Sequence, residues 1–315
     1  MKPTKTGSSK SAMERVPDFF IVGAAKAGTT SLYAYLKAHP QIFLPETKEP
    51  RYYAYEGERP EDFEGPGAAR LIQSIIKDKA TYRKLFENAA SDQIIGEASP
   101  AYLYSPIAAE RIAQDNPNAK IIAILRNPIE RAYSHFLDNV GNGWEPCTDF
   151  EQVIQAQRRG ERARWWRKWD YLGHGFYAQQ LMRYMTHFPP ENMKIIRYEH
   201  FRDDPERVVR DLLGFLKVDS EVELPVDQRY NVSWVPRWRW LQQVFGQPRG
   251  LKKVVRSVVP SEVRRWLRHR LEVINRHRPP MSPAARRLLL EIYLPEIEAL
   301  ERLLGWDLSD WKRPE

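Results

Sequence analysis

Apolar and polar positions divide this chain into short hydrophobic runs separated by stretches with helical spacing. Phe19, Phe20, Ile21 and Val22 form a run that stops at Gly23, and Leu32, Tyr35 and Leu36 then share one side of a helix beginning after Thr29. Further strands are predicted at Ile42, Phe43 and Leu44, at residues 93–95, at 120–125 and at 193–197. Helical spacing recurs around Tyr82, Leu85 and Phe86, and again after Ser105 and Pro106. Asn127 and Pro128 open a helix carrying Arg131 and Ser134, and another covers residues 205–216. Residues 148–188 read as wholly helical, and Ser282 and Pro283 start a final helix that Pro295 is expected to interrupt. Residues 45–66 form a long polar loop dense in Pro, Glu and Tyr, the kind of connection that is usually functional.

Strands alternating with helices imply an α/β, P-loop-like three-layer fold, with a mainly parallel sheet covered by helices and a helical C-terminal extension. In such sheets ligands sit at the carboxyl ends of the strands. Gly23, Glu97 and Arg126 fall at predicted strand ends, so one cleft is expected to collect them. The expected organisation is a disordered tail over residues 1–15, rich in Lys, Ser and Thr, then a single domain over 16–315.

The segment GAAKAGTT between the first strand and helix is the main chemical signal. A small-residue loop entering a helix turns backbone amides toward the positive helix end, a ready site for phosphate. Gly23 and Gly28 have the spacing of a Walker A loop, but Thr29 and Thr30 follow Gly28, and the loop's only lysine is Lys26, inside it. The later strand KIIAIL ends in Arg126, where a magnesium-holding aspartate would be wanted. An arginine binds anions rather than metal, so a nucleotide ligand is expected without a metal ion.

Composition adds a few limits. The 315 residues carry one cysteine, Cys147, which excludes an intrachain disulfide and favours a reducing, cytoplasmic setting. No apolar run approaches the ~20 residues needed to span a bilayer, so membrane contact is at most peripheral. Residues 249–278 hold ten Lys or Arg against two Glu, a surplus matching the whole chain's net charge of +8. There Val263, Trp266, Leu267, Leu271 and Ile274 make one apolar face opposite Arg264, Arg265, Arg268 and Arg270, suited either to anionic lipid or to packing on the core. Paired CxxC sequences and RNP aromatic signatures are absent, so no nucleic-acid partner is expected. The residues alone point to a nucleotide-binding loop and leave open a P-loop nucleotide kinase and a basic membrane- or nucleic-acid-binding module.

The segments PDFFIVGAAKAGTTSLYAYLKAHPQI, KEPRYY and KIIAILRNPIERAYSHF resemble the sulfotransferases that use 3′-phosphoadenosine 5′-phosphosulfate (PAPS), nearest the glycan-modifying branch and its bacterial relatives. The resemblance runs from about Pro17 to Leu216, and more loosely beyond. It implies that Lys26, Ala27, Gly28, Thr29 and Thr30 hold the 5′-phosphosulfate, and that Arg126 and Ser134 bind the 3′-phosphate. It makes Glu49 the base that deprotonates a hydroxyl acceptor, a carbohydrate or other small hydroxylated molecule, with Lys26 stabilising the leaving oxygen. Two departures stand out: Arg51 occupies a position usually held by histidine, and Ala98 one usually held by lysine. Glu97 thereby becomes a rival base. Arg276 is a loose match to a residue that caps the cofactor. The mixture RRGERARWWRKW, residues 158–169, suits either stacking on sugars or an amphipathic surface helix, while Tyr177 and Gln180 border the substrate cleft in relatives.

Overall fold

The computed structural model describes residues 15–226, 235–236 and 276–314. Residues 1–14 of the expected tail and most of the basic segment 249–278 lie outside these residues, while Arg15, counted in that tail, donates to the Ala90 carbonyl at 2.8 Å. Five strands form one parallel sheet: β1 (Phe19–Gly23), β2 (Ile42–Phe43), β3 (Ile94–Ala98), β4 (Lys120–Leu125) and β5 (Met193–Arg197), in the order β2-β3-β1-β4-β5. All five residues of β1 and the last five of β4 are buried, because helices cover both faces of a parallel sheet and leave no room for polar alternation. From β1 the chain goes to the edge strand β2 and returns inward to β3 beside β1, then crosses to β4 and β5 on the other side. That reversal opens a crevice at the carboxyl ends of β1 and β4, where loops from both directions part.

Helix α1 (Thr29–Lys37) follows β1; α2 (Ala68–Gln73) and α3 (Lys79–Lys84) lie between β2 and β3. After β3 come α4 (Ala101–Tyr104) and α5 (Ala108–Asp115), and after β4 comes α6 (Pro128–Gly141). Asn127 caps α6 by accepting the Ile129 amide at 3.0 Å, and Pro128 takes the first helical position, where a missing N–H costs nothing. Helices α7 (Phe150–Arg158) and α8 (Tyr177–Met185) precede β5, and α9 (Tyr198–Asp203) and α10 (Pro205–Leu216) follow it. Residues 235–236 and 276–277 pair as a short antiparallel ribbon, β6 and β7. Arg276 lies on β7, and its side chain falls outside the described residues. Helix α11 (Pro283–Leu304) packs on α6, α7 and α8. Among the described residues no helix is long and apolar enough to cross a membrane.

Several expectations need correction. Residues 148–188 are not wholly helical: between α7 and α8 the chain makes tight turns at Arg167–Trp169 and Gly173–Gly175. Gly160, in a left-handed conformation at φ 74°, ends the first helix, and Asp170 accepts the Gly173 amide at 2.6 Å to fix the second turn. Trp166 and Trp169 are buried in the core, so this stretch is no amphipathic surface helix. Helix α5 begins at Ala108, leaving Ser105 and Pro106 in the link from α4. Pro295 does not interrupt α11, whose packing on three other helices outweighs one lost hydrogen bond. Finally, β3 continues through Glu97, placing that side chain within the sheet rather than at its mouth.

Candidate active site

The β1–α1 loop is held from several sides. Ala24 donates its amide to the Ile124 carbonyl at 2.8 Å, tying the loop to β4, and Ala27 donates to Ala24 at 3.2 Å. Gly28 caps α1 at φ 87°, a conformation that a side chain disfavours, and a Cβ there would stand 3.1 Å from the Phe201 ring. Lys26 is left-handed too, at φ 69°. These bends bring Lys26, Gly28, Thr29, Thr30 and Ser31 to one wall of a cleft of about 690 Å³. The first-turn amides of a helix have no acceptor within it, so this wall presents the positive end of α1. Ala27 is fully buried beneath the cleft and contributes to the loop's shape.

Arg126 leaves the end of β4 and crosses the crevice, donating from its guanidinium to the Lys26 carbonyl at 3.1 Å. Its own backbone carbonyl accepts the Tyr177 hydroxyl at 3.0 Å, and the Tyr198 ring lies 4.9 Å from its charged carbon. Burial lowers the pKa of this guanidinium, the sign of a cation poorly served by water and suited to an anionic partner. On α6 a spacing of four places Glu130, Ser134 and Asp138 along one side. Ser134 and Asp138 line the cleft, and Asp138 holds the Lys26 ammonium at 3.0 Å. Glu130 gathers Arg286, Arg278 at 3.5 Å and Arg126 at 3.9 Å, so Arg278, which also lines the cleft, is drawn toward the Arg126 side.

On the opposite side stands the turn at residues 49–51. Glu49 and Arg51 are both left-handed, at φ 61° and 57°, and the turn is anchored where the Glu49 amide donates to Ala98 and the Arg51 amide to the Ser99 hydroxyl, each at 3.1 Å. Backbone held in this region without glycine clusters at functional sites. The Glu49 carboxylate accepts Lys48 at 2.8 Å and Arg51 at 2.9 Å. Burial alone would raise its pKa, but these two cations win and hold it at about 2. Glu97 has the opposite fate. It is wholly buried, absent from the cleft lining, and accepts three hydroxyls: Ser99 at 2.6 Å, Tyr82 at 2.7 Å and Tyr102 at 2.8 Å. Burial still outweighs those bonds and pushes its pKa up to about 7. Of the three residues expected at the mouth of one cleft, only Arg126 lines it; Gly23 and Glu97 do not.

The loop, the crossing arginine and the carboxylate facing them gather around one cleft, and the sequence model of the sulfotransferase family matches residues 17–221. This chain belongs to the sulfotransferase family. It is 31% identical to human bifunctional heparan sulfate N-deacetylase/N-sulfotransferase 3 over 320 residues, covering 98% of this chain and 32% of that protein. It is 25% identical to mouse heparan sulfate glucosamine 3-O-sulfotransferase 3B1 over 269 residues, 84% of this chain and 62% of that protein. The chain thus spans about a third of the length of the N-deacetylase/N-sulfotransferases it matches, 32% for the human protein. The crystal structure of a sulfotransferase from Alicyclobacillus acidocaldarius superposes with a TM-score of 0.74 at 31% identity, covering 95% of this chain and all of that one. The fold expectation and the transferase class therefore hold, and the kinase and binding-module readings give way.

Several residues of this family member's cleft carry no clear signal in its sequence. Asp138, His135, His174, Tyr198 and Phe201 line it, as do Trp166 and Lys168 from the 158–169 mixture that the sequence does single out. The four-residue spacing from Ser134 to Asp138 is one cue that a helical wheel does carry. Tyr198 and Phe201 come from α9, directly after β5, another strand end at the same mouth. Tyr177 reaches Arg126 through its hydroxyl, whereas Gln180 is buried and donates to the Gly173 carbonyl at 2.8 Å, bracing the turn.

Proposed function

We propose that this protein transfers a sulfuryl group from PAPS to a hydroxyl of a carbohydrate acceptor. The observation that carries this reading is the Arg126 guanidinium bridging to the Lys26 carbonyl, which joins two anion-binding points across one crevice. The donor set fits the co-substrate: a helix N-terminus with Lys26, Thr29 and Thr30 for a phosphosulfate, and Arg126 with Ser134 for a second phosphate one step along the cleft. When bound, PAPS supplies the sulfuryl group, which passes to the acceptor oxygen as its bond to the bridging phosphate oxygen breaks.

The chain's own residues serve that exchange electrostatically. Lys26 leaves its ion pair with Asp138 to neutralise the bridging oxygen, Glu49 takes the hydroxyl proton, and Lys48 and Arg51 keep Glu49 ionised and oriented until it does. A carbohydrate is favoured among hydroxyl acceptors because relatives similar along most of this chain are named for heparan sulfate. No metal ion is required in this scheme.

Adenosine 3′,5′-bisphosphate should raise the melting temperature in the presence of EDTA, and ATP, lacking a 3′-phosphate, should do much less. A radiolabelled-donor screen across glucosamine-containing oligosaccharides, phenols and simple alcohols then identifies the acceptor class. Equal stabilisation by ATP, or strict dependence on magnesium, would overturn the donor; transfer only to phenols would overturn the carbohydrate.

A further inference from the structure

The turn between α7 and α8 brings a second ammonium into the cleft. Lys168 lies in the Arg167–Trp169 turn, lines the same cavity as Lys26 and Glu49, and is half-buried there. Its backbone is fixed on both sides. Asn139 donates to the Lys168 carbonyl at 3.3 Å; Trp169 closes the turn onto the Trp166 carbonyl at 2.9 Å and donates its indole N–H to Trp144 at 3.1 Å. Arg167, the preceding residue, is neutralised by Glu58 and by Glu56 at 3.3 Å. Lys168 has no such arrangement: among the described residues its ammonium makes neither a hydrogen bond nor an ion pair. Two positions earlier Trp166 also lines the cleft, nearly buried, with its indole N–H lacking an acceptor.

An amine taken partly out of water and left without a counter-ion is costly, and it is retained where an anion completes it. Burial lowers the pKa of Lys168, and the charges of Asp138, Arg51, Glu49 and Lys26 act on it most strongly after that. Those four groups flank the place where the phosphosulfate end of the donor meets the acceptor hydroxyl.

We propose that Lys168 is the cation that contacts the sulfuryl oxygens themselves, leaving the bridging oxygen to Lys26. This rests on the PAPS reading above. The two nucleotides needed to test it differ in one useful way: PAPS and adenosine 3′,5′-bisphosphate carry nearly the same total charge, but only PAPS has sulfuryl oxygens. A cation acting at long range affects both alike, whereas one touching the sulfuryl group affects PAPS alone.

The test is calorimetric titration of each nucleotide, with no acceptor present, into wild type, Lys168→Met, Lys168→Gln and Lys168→Arg. Methionine keeps the length and suits the half-buried setting, and glutamine serves if methionine impairs folding. Lys168→Met or Lys168→Gln should weaken PAPS by ~10-fold, as expected for one charge-assisted contact, and leave the bisphosphate within a factor of two or so. Lys168→Arg should recover most of the loss. Equal weakening of both nucleotides, or of neither, overturns the assignment while sparing the PAPS reading. Failure of wild type to bind either nucleotide overturns that reading and the assignment with it.

Discussion

Replacing Glu97 by glutamine should remove a pH dependence of stability that the buried carboxyl imposes on the folded protein. Folded Glu97 holds its proton up to about pH 7, whereas an ordinary glutamate loses it near 4.5. The folded state therefore binds more protons than the unfolded chain between those values, so stability falls as pH rises from 4.5 to 7 and is level above. At ~1.4 kcal/mol per pH unit the gap corresponds to ~3 kcal/mol. His135 and His174 work against it in wild type. Burial first, and then the nearby Arg131 guanidinium, lower both imidazoles, His174 to about 3. The unfolded chain takes up those protons below about pH 6.5, so the histidines make stability rise with pH there.

The decisive quantity is the difference between wild type and Glu97→Gln, in which the histidines cancel. Measured by thermal melts at pH 5 and pH 7.5, an interval that contains ~2.4 kcal/mol of this gap, wild type should lose ~5 °C relative to the variant, taking ~2 °C per kcal/mol for a chain of this size. Parallel curves for the two proteins would refute the reasoning, since they would mean that Glu97 is ionised in the folded state at pH 5 and that its three hydroxyl donors outweigh burial. A variant that melts lower at both pH values, with an unchanged pH dependence, would refute it equally.

Other variants probe the cleft. Glu49→Gln should lower single-turnover sulfuryl transfer by ~10²–10⁴-fold while bisphosphate affinity, read by titration, stays unchanged. Arg126→Lys keeps the charge but loses the fork that spans the Lys26 carbonyl and an anion, so bisphosphate affinity should fall ~10-fold; unchanged affinity would remove the 3′-phosphate from this residue. Gly28→Ala forces a side chain into φ 87° beside the Phe201 ring, at a cost of ~1–2 kcal/mol visible as a lower melting temperature and weaker bisphosphate binding. Transfer measured against pH should show no acid limb from Glu49 above pH ~4, and Lys48→Met should bring that limb up into the accessible range.

How much of this is legible in the sequence depends on whether a feature is local. Strands β4 and β5 and helix α10 match the expected ranges, because apolar runs bounded by Asn, Pro and Asp signals are local information. The stretch 148–188 misleads for the opposite reason. Its Trp and Arg residues resemble a helix surface in sequence, but Trp169 is held by the carbonyl of Trp144 and Arg167 by Glu56 and Glu58, partners far along the chain. Likewise GAAKAGTT announces a phosphate loop, whereas nothing in the order of residues shows that Arg126 returns to the Lys26 carbonyl or that Lys168 enters beside it. Glu97 resembles a rival base in sequence, and only the fold shows it enclosed by three hydroxyls from β3's own neighbourhood and from α3 and α4.

The two carboxyls illustrate how the site divides its labour. Glu97, at about 7, has the pKa of a good general base, yet it is sealed from the cleft and its oxygens are already occupied. Through Ser99, whose hydroxyl donates to Glu97 and accepts the Arg51 amide, it steadies the turn that presents Glu49. Glu49, at about 2, faces the cleft but is a weak base toward an alcohol, whose proton is about as firmly held as that of water. Such a transfer is uphill while the acceptor is intact. It becomes downhill only as the oxygen–sulfur bond forms, because an oxygen sharing its electrons with sulfur holds its proton far less firmly. On the proposed mechanism Glu49 would therefore act late, after most of the bond making, where a weak carboxylate suffices. What Lys48 and Arg51 contribute is a base that stays ionised and aimed well below neutral pH, which is why removing Lys48, and not mild acidification of the wild type, should expose the titration of Glu49.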